Sequence, residues 1–84
     1  MEYKIEVISL AQKDLDNLEK RYFEQIKDRI NSLKSNPRPP NCLKLTAEEG
    51  YRIRSGDFRI LYRIDDKNKI IYIYRIKHRK ESYR

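Results

Sequence analysis

The hydrophobic period of this chain changes once, at Pro37-Arg38-Pro39-Pro40. Before that run, apolar residues recur at helical spacing: Leu10, Ala11, Leu15 and Leu18, then Tyr22, Phe23, Ile26, Ile30 and Leu33. After it, apolar and polar residues alternate, as a strand with one covered face requires. Proline at 37 cannot continue a helix and restrains Asn36 before it, so Ser35-Asn36-Pro37 ends the second helix. The prolines that follow read as a stiff spacer. An 84-residue chain has room for one hydrophobic core, so both halves must share it as a single domain over residues 1–84.

Ahead of the helices, Tyr3-Lys4-Ile5-Glu6-Val7-Ile8 alternates at first and reads as a strand. Ser9 with Gln12 three residues on has the capping-box pattern that starts a helix. Beyond the prolines, Cys42-Leu43-Lys44-Leu45 suggests a short strand. Tyr51-Arg52-Ile53-Arg54 and Phe58 to Ile64 form a hairpin about Ser55-Gly56-Asp57, and Asp65-Asp66-Lys67-Asn68 makes the next turn. Ile70 to Ile76 is almost wholly apolar, the pattern of a central strand covered on both faces. The expected fold class is α+β. It comprises an N-terminal strand and a two-helix hairpin packed on an antiparallel sheet, with a C-terminal meander of three to four strands.

Charge divides the chain differently from period. Residues 1–48 carry nine basic and eight acidic side chains, whereas residues 49–84 carry eleven basic and five acidic. Period two sets Phe58, Ile60, Tyr62 and Ile64 on one face and Arg59, Leu61 and Arg63 on the other, with Arg52 and Arg54 likewise opposite Tyr51 and Ile53. Guanidiniums gathered on one sheet face repel one another unless an anion joins them. Each offers a planar fork that matches two phosphate oxygens. Ordinary ion pairs with Asp57, Asp65, Asp66 or Glu49 are the alternative, but five acids cannot neutralise eleven bases. A polyanion or an acidic protein is therefore the expected partner.

The final segment, Lys77-His78-Arg79-Lys80-Glu81-Ser82-Tyr83-Arg84, adds an imidazole and a phenol that could transfer protons, although packing or hydrogen bonding is the simpler account of a lone His or Tyr. With two glycines, one cysteine (Cys42) and one histidine, the sequence has no phosphate-cradling glycine loop, disulfide framework or cysteine zinc site. Cys42 reads as a small buried residue. The opening Met-Glu-Tyr-Lys-Ile-Glu is not an apolar signal, and no apolar run approaches ~20 residues. The expectation is a cytoplasmic protein without a membrane span.

The run Tyr51-Arg52-Ile53-Arg54-Ser55-Gly56-Asp57-Phe58-Arg59-Ile60-Leu61-Tyr62 resembles a signature of the RelE/ParE toxin superfamily. Ile76 to Tyr83 is similar to that superfamily's closing segment, with Lys77 where glycine is usual. The order of strand, helix pair, proline loop and meander also agrees. What the resemblance implies is a type II toxin, RelE-like, that cleaves mRNA in the ribosomal A site without metal or cofactor. By position, Arg59 and Arg79 match the catalytic arginines, and Tyr83 the tyrosine associated with the 2′-hydroxyl or with base stacking. Arg52 and Arg54, with Lys77, His78 and Lys80, fall where the family holds RNA. The implied partners are the ribosome, mRNA and a RelB-like antitoxin, acidic and partly disordered, whose helix would cover Tyr83. The same resemblance leaves two other readings open: a ParE-like inhibitor of DNA gyrase that cleaves nothing, and a catalytically silent antitoxin-bound member.

Overall fold

The computed structural model describes residues 2–45 and 50–80. Strand β1 (Lys4–Val7) leads into helices α1 (Ser9–Asp16) and α2 (Lys20–Ser32). Strands β2 (Leu43–Lys44), β3 (Tyr51–Ser55), β4 (Phe58–Asp65) and β5 (Ile70–His78) follow. The sheet runs β1-β5-β4-β3-β2. Its last four strands are mutually antiparallel, as a meander must be, whereas β1 joins β5 in parallel, Lys4 facing Ile70 and Val7 facing Ile73. The α+β architecture expected from the periods is present, with a mixed rather than purely antiparallel sheet. The reason is topological: α1 and α2 carry the chain back across the sheet before β2, so the first strand can lie parallel to the last.

Both helices pack on one face of the sheet. Ala11 and Leu15 of α1, Ile26 and Ile30 of α2, and Leu33 meet Ile53, Phe58, Ile60, Tyr62, Ile71, Ile73 and Ile76. Each buried aliphatic side chain contributes roughly 1.5–3 kcal/mol. Among the described residues no helix lies on the other face, so β5 is central but not covered twice. Its outer residues Tyr72 and Tyr74 are half-buried, and a tyrosine tolerates that position because its ring is apolar and its hydroxyl is not.

Two local outcomes differ from the sequence pattern. Ser9 does not cap α1. Ile8 holds that position in extended geometry (φ −71°, ψ 153°) because its N–H still donates to Ile73 O at 2.9 Å, so strand pairing runs directly into the helix. A bulge between Leu61 and Tyr62 then breaks period two where β4 meets β5: Leu61 faces Arg75 while Tyr62 faces Ile73, leaving Tyr74 as the extra residue. Past the end of β1 the edge of β5 is exposed to α1, and Asp14 occupies it. Its carboxylate accepts the Ile76 N–H at 2.8 Å and Arg75 Nε at 3.0 Å.

The proline loop is anchored rather than merely stiff. Pro37 O accepts the Tyr62 hydroxyl at 2.8 Å, and Arg38 grips Asp66 in the β4–β5 turn at 2.8 and 3.3 Å while its Nε donates to Tyr51 Oη. No helix among the described residues is long and apolar enough to cross a membrane.

Candidate nucleic-acid interface

The β3–β4 hairpin turns on two residues, Gly56 and Asp57, with Gly56 at φ +59°. Glycine at the first central position suits the reversed turns whose twist matches that of the strands. This tight connection fixes the register on which the site depends. Arg54 faces Arg59 across β3 and β4, and Arg59 faces Lys77 across β4 and β5. Residues directly opposite on one face have Cβ atoms about 4.5–5.5 Å apart, so three cations cross the sheet in one row, on the side away from the helices.

One step inward on the same face, Arg52 stands between Leu43 and Leu61. Its Nε is buried without a hydrogen-bond partner among the described residues. A donor so placed costs on the order of 1–3 kcal/mol until an acceptor reaches it. Neither Arg54 nor Lys77 forms an ion pair among the described residues. Arg75, which faces Leu61, is instead engaged by Asp14.

Arg79 follows β5 and is held beside the row by the hairpin turn. Its N–H donates to Asp57 O at 2.7 Å, and its Nη1 lies 3.8 Å from Asp57 Oδ1. Lys80 is exposed on the same turn. The structure thus brings Arg52, Arg54, Arg59 and Lys77 onto one face, with Arg79 and Lys80 at its end. Tyr83 lies outside the described residues.

His78 is not in this group. It faces Phe58 across β4 and β5 on the helix side, its ring edge-on to the phenyl with centroids 5.2 Å apart and planes at 88°. There it lines a cleft of about 320 Å³ with Asn17, Glu19, Tyr22 and Asp57. Alternation is the reason: His78 follows Lys77, so the two side chains take opposite faces. Asp57, read from the sequence as a turn residue and as one of four acids that could pair with the arginines, is paired with Arg79. Its place directly before the strand carrying Arg59 was the available signal.

The far end of the sheet has a different electrostatic character. Asp66 is held down to about 2, first by the Arg38 hydrogen bonds and then by the Tyr3 hydroxyl at 2.6 Å. The same pairing pushes Arg38 further up. Asp65 is lowered by the side-chain and backbone N–H groups of Asn68. Burial, followed by the neighbouring Cys42 thiol, pushes the Tyr62 phenol up.

These features define a small α+β protein with a cation-bearing sheet face, and comparison with known proteins says which kind. The family model for the ParE toxin of the type II toxin–antitoxin system parDE matches residues 5–83. Putative toxin RelE1 of Methanocaldococcus jannaschii is 31% identical, covering 100% of this chain and 98% of that one. Toxin RelG of Mycobacterium tuberculosis is 30% identical, covering 100% and 99%. Among solved structures, the toxin–antitoxin complex RelBE2 from Mycobacterium tuberculosis superposes with a TM-score of 0.84 at 29% identity, over 94% of this chain and 100% of that one. The archaeal RelE–RelB complex from Pyrococcus horikoshii gives 0.79 at 28%, over 94% and 97%. The chain belongs to the RelE/ParE family and is a toxin of a type II toxin–antitoxin system.

Proposed function

We propose that this toxin is a metal-independent endoribonuclease that cuts mRNA in the ribosomal A site and so halts translation in the cytoplasm. The observation that carries the reading is the Arg54–Arg59–Lys77 row with Arg79 beside it. Such a row disfavours itself without an anion, and a phosphodiester supplies one with oxygens in the geometry that guanidinium forks match.

In the step this supports, the ribose 2′-oxygen attacks the adjacent phosphorus and the bond to the 5′-oxygen of the next nucleotide breaks. A 2′,3′-cyclic phosphate and a 5′-hydroxyl result. Arg59 and Arg79 donate to the non-bridging oxygens as negative charge grows on them. By the family pattern Tyr83, as phenolate, takes the 2′-hydroxyl proton, and water supplies the proton that the leaving 5′-oxygen takes up. Arg52, Arg54, Lys77 and Lys80 hold the flanking backbone. The antitoxin partner would be an acidic, partly disordered RelB-like chain that folds on the toxin. Relatives solved as RelB–RelE complexes support that partner.

The test is to add purified protein to programmed ribosomes and to the same mRNA free in solution. Cuts only on ribosomes, lost in Arg59→Ala, are expected. Cleavage of free RNA would keep the nuclease and remove ribosome dependence. The matching family description names ParE, which favours gyrase inhibition as the second reading. No cleavage on either substrate, with a DNA-damage response in expressing cells, would establish it in place of the first.

A further inference from the structure

We propose that His78 is a positioning residue for Arg79, acting through its Nδ1 as a hydrogen-bond acceptor rather than through proton transfer or phosphate contact. The backbone N–H of Lys80 donates to His78 Nδ1 at 3.2 Å. That bond closes the turn in which Arg79 sits between the two residues. The second hold on the same turn is the Arg79 N–H to Asp57 O bond at 2.7 Å. His78 is fixed in its turn by Phe58, whose ring it meets edge-on at 5.2 Å, and Phe58 is steadied by Tyr22 at 5.4 Å. A rigid chain therefore runs from α2 through Phe58 and His78 to the backbone carrying Arg79. The imidazole lies across the sheet from Arg54, Arg59 and Lys77, which removes it from the phosphate side.

An acceptor at Nδ1 requires that this nitrogen carry no proton, so the neutral ring is the Nε2–H tautomer. A proton on Nδ1 would set a donor against a donor, so the Lys80 bond belongs to this tautomer alone. The charged and titratable groups around the ring are Glu19 and Tyr22 from α2 and its approach, Asp57 from the hairpin turn, and Lys77, Arg79 and Lys80 on its own segment. A misplaced catalytic arginine costs on the order of tenfold to a hundredfold in rate. The consequence for cleavage rests on the nuclease reading above; the consequence for the turn does not.

Two substitutions separate the possible roles. His78→Asn keeps an acceptor near the Nδ1 position but removes the titrating ring. His78→Phe keeps a ring against Phe58 and removes the acceptor. For each variant and the wild type, the Lys80 amide shift and exchange rate would be followed by NMR alongside ribosome-dependent cleavage across pH. The expected result is that His78→Asn keeps the protected Lys80 amide and cuts within about threefold of wild type. His78→Phe would lose the protection and cut about tenfold to a hundredfold more slowly. An active His78→Phe with an inactive His78→Asn would overturn the proposal in favour of ring packing. Loss of cleavage in both, with Lys80 still protected in His78→Asn, would overturn it in favour of proton transfer. If the wild type cuts nothing, the nuclease reading falls, and the amide data alone decide. Protection kept by Asn and lost by Phe upholds the positioning role, and equal protection overturns it.

Discussion

The two ends of the sheet treat charge in opposite ways. At the β4–β5 turn, Arg38, Asp66, Tyr3, Tyr51, Tyr62 and Pro37 O form one connected set in which cation, anion and hydroxyls find partners within the chain. At the β3–β4 turn, Arg54, Arg59 and Lys77 face each other across three strands, with Asp57 alone of the nearby described acids and already turned to Arg79. The first arrangement ties the proline loop to the sheet and stabilises the fold. The second gathers like charge on one outward face, where added negative charge is favoured. The difference separates a region whose charges tie the fold together from one whose charges face outward.

The sharpest break in the comparison is Arg59→Ala. Ribosome-dependent cleavage should fall by about 10²–10³-fold, as for loss of one donor to a developing oxyanion. Chemical denaturation should meanwhile show a cooperatively folded protein, so that the loss is one of chemistry and not of fold. At the other end the effect should reverse. Tyr62→Phe removes the hydroxyl from Pro37 O and should cost about 1 kcal/mol of unfolding free energy with cleavage intact.

Asp66 supplies a pH signature. Its folded carboxyl is held to about 2, below its ordinary value of 3.8, so its contribution is fully present above that ordinary value and lost as pH falls towards 2. Melting temperatures between pH 5 and 2 should decline in the wild type, and the decline should be shallower in Asp66→Asn. The smallest effect belongs to Lys77→Glu, which sets an anion opposite Arg59. Stability should rise by about 0.2–1 kcal/mol at low salt, and added salt should erase the gain.

Much of this was legible in the sequence because period two holds within Tyr51–Ser55 and again within Phe58–Tyr62, on either side of a recognisable turn. Ile53 and Ile60 face the core, Arg54 and Arg59 face outward, and Gly56-Asp57 sets the register between them. The pairing of β1 with β5 was not legible. Lys4 meets Ile70 across nearly the whole chain, and alternation within a strand says nothing about its neighbour. Nor was the bulge at Leu61–Tyr62, where one extra residue in β5 resets the pattern and lets Tyr74 project outward while Ile76 returns to the core. Grouping His78 with its basic neighbours followed composition along the segment, whereas the strand continued to alternate through it. The Asp14 contact with Ile76 also escaped, because it depends on where β1 stops.

The parallel pairing of first strand with last has a consequence for synthesis. While the chain is being made, β1 has no neighbour and β4 has one bare edge until residues 70–78 emerge. Lys77 arrives with that strand and Arg79 directly after it, so they take their places opposite and beside Arg59 only once β5 has been made. A growing chain thus carries Arg54 and Arg59 before the row can form, and the row is assembled in the same event that seats β5 between β1 and β4.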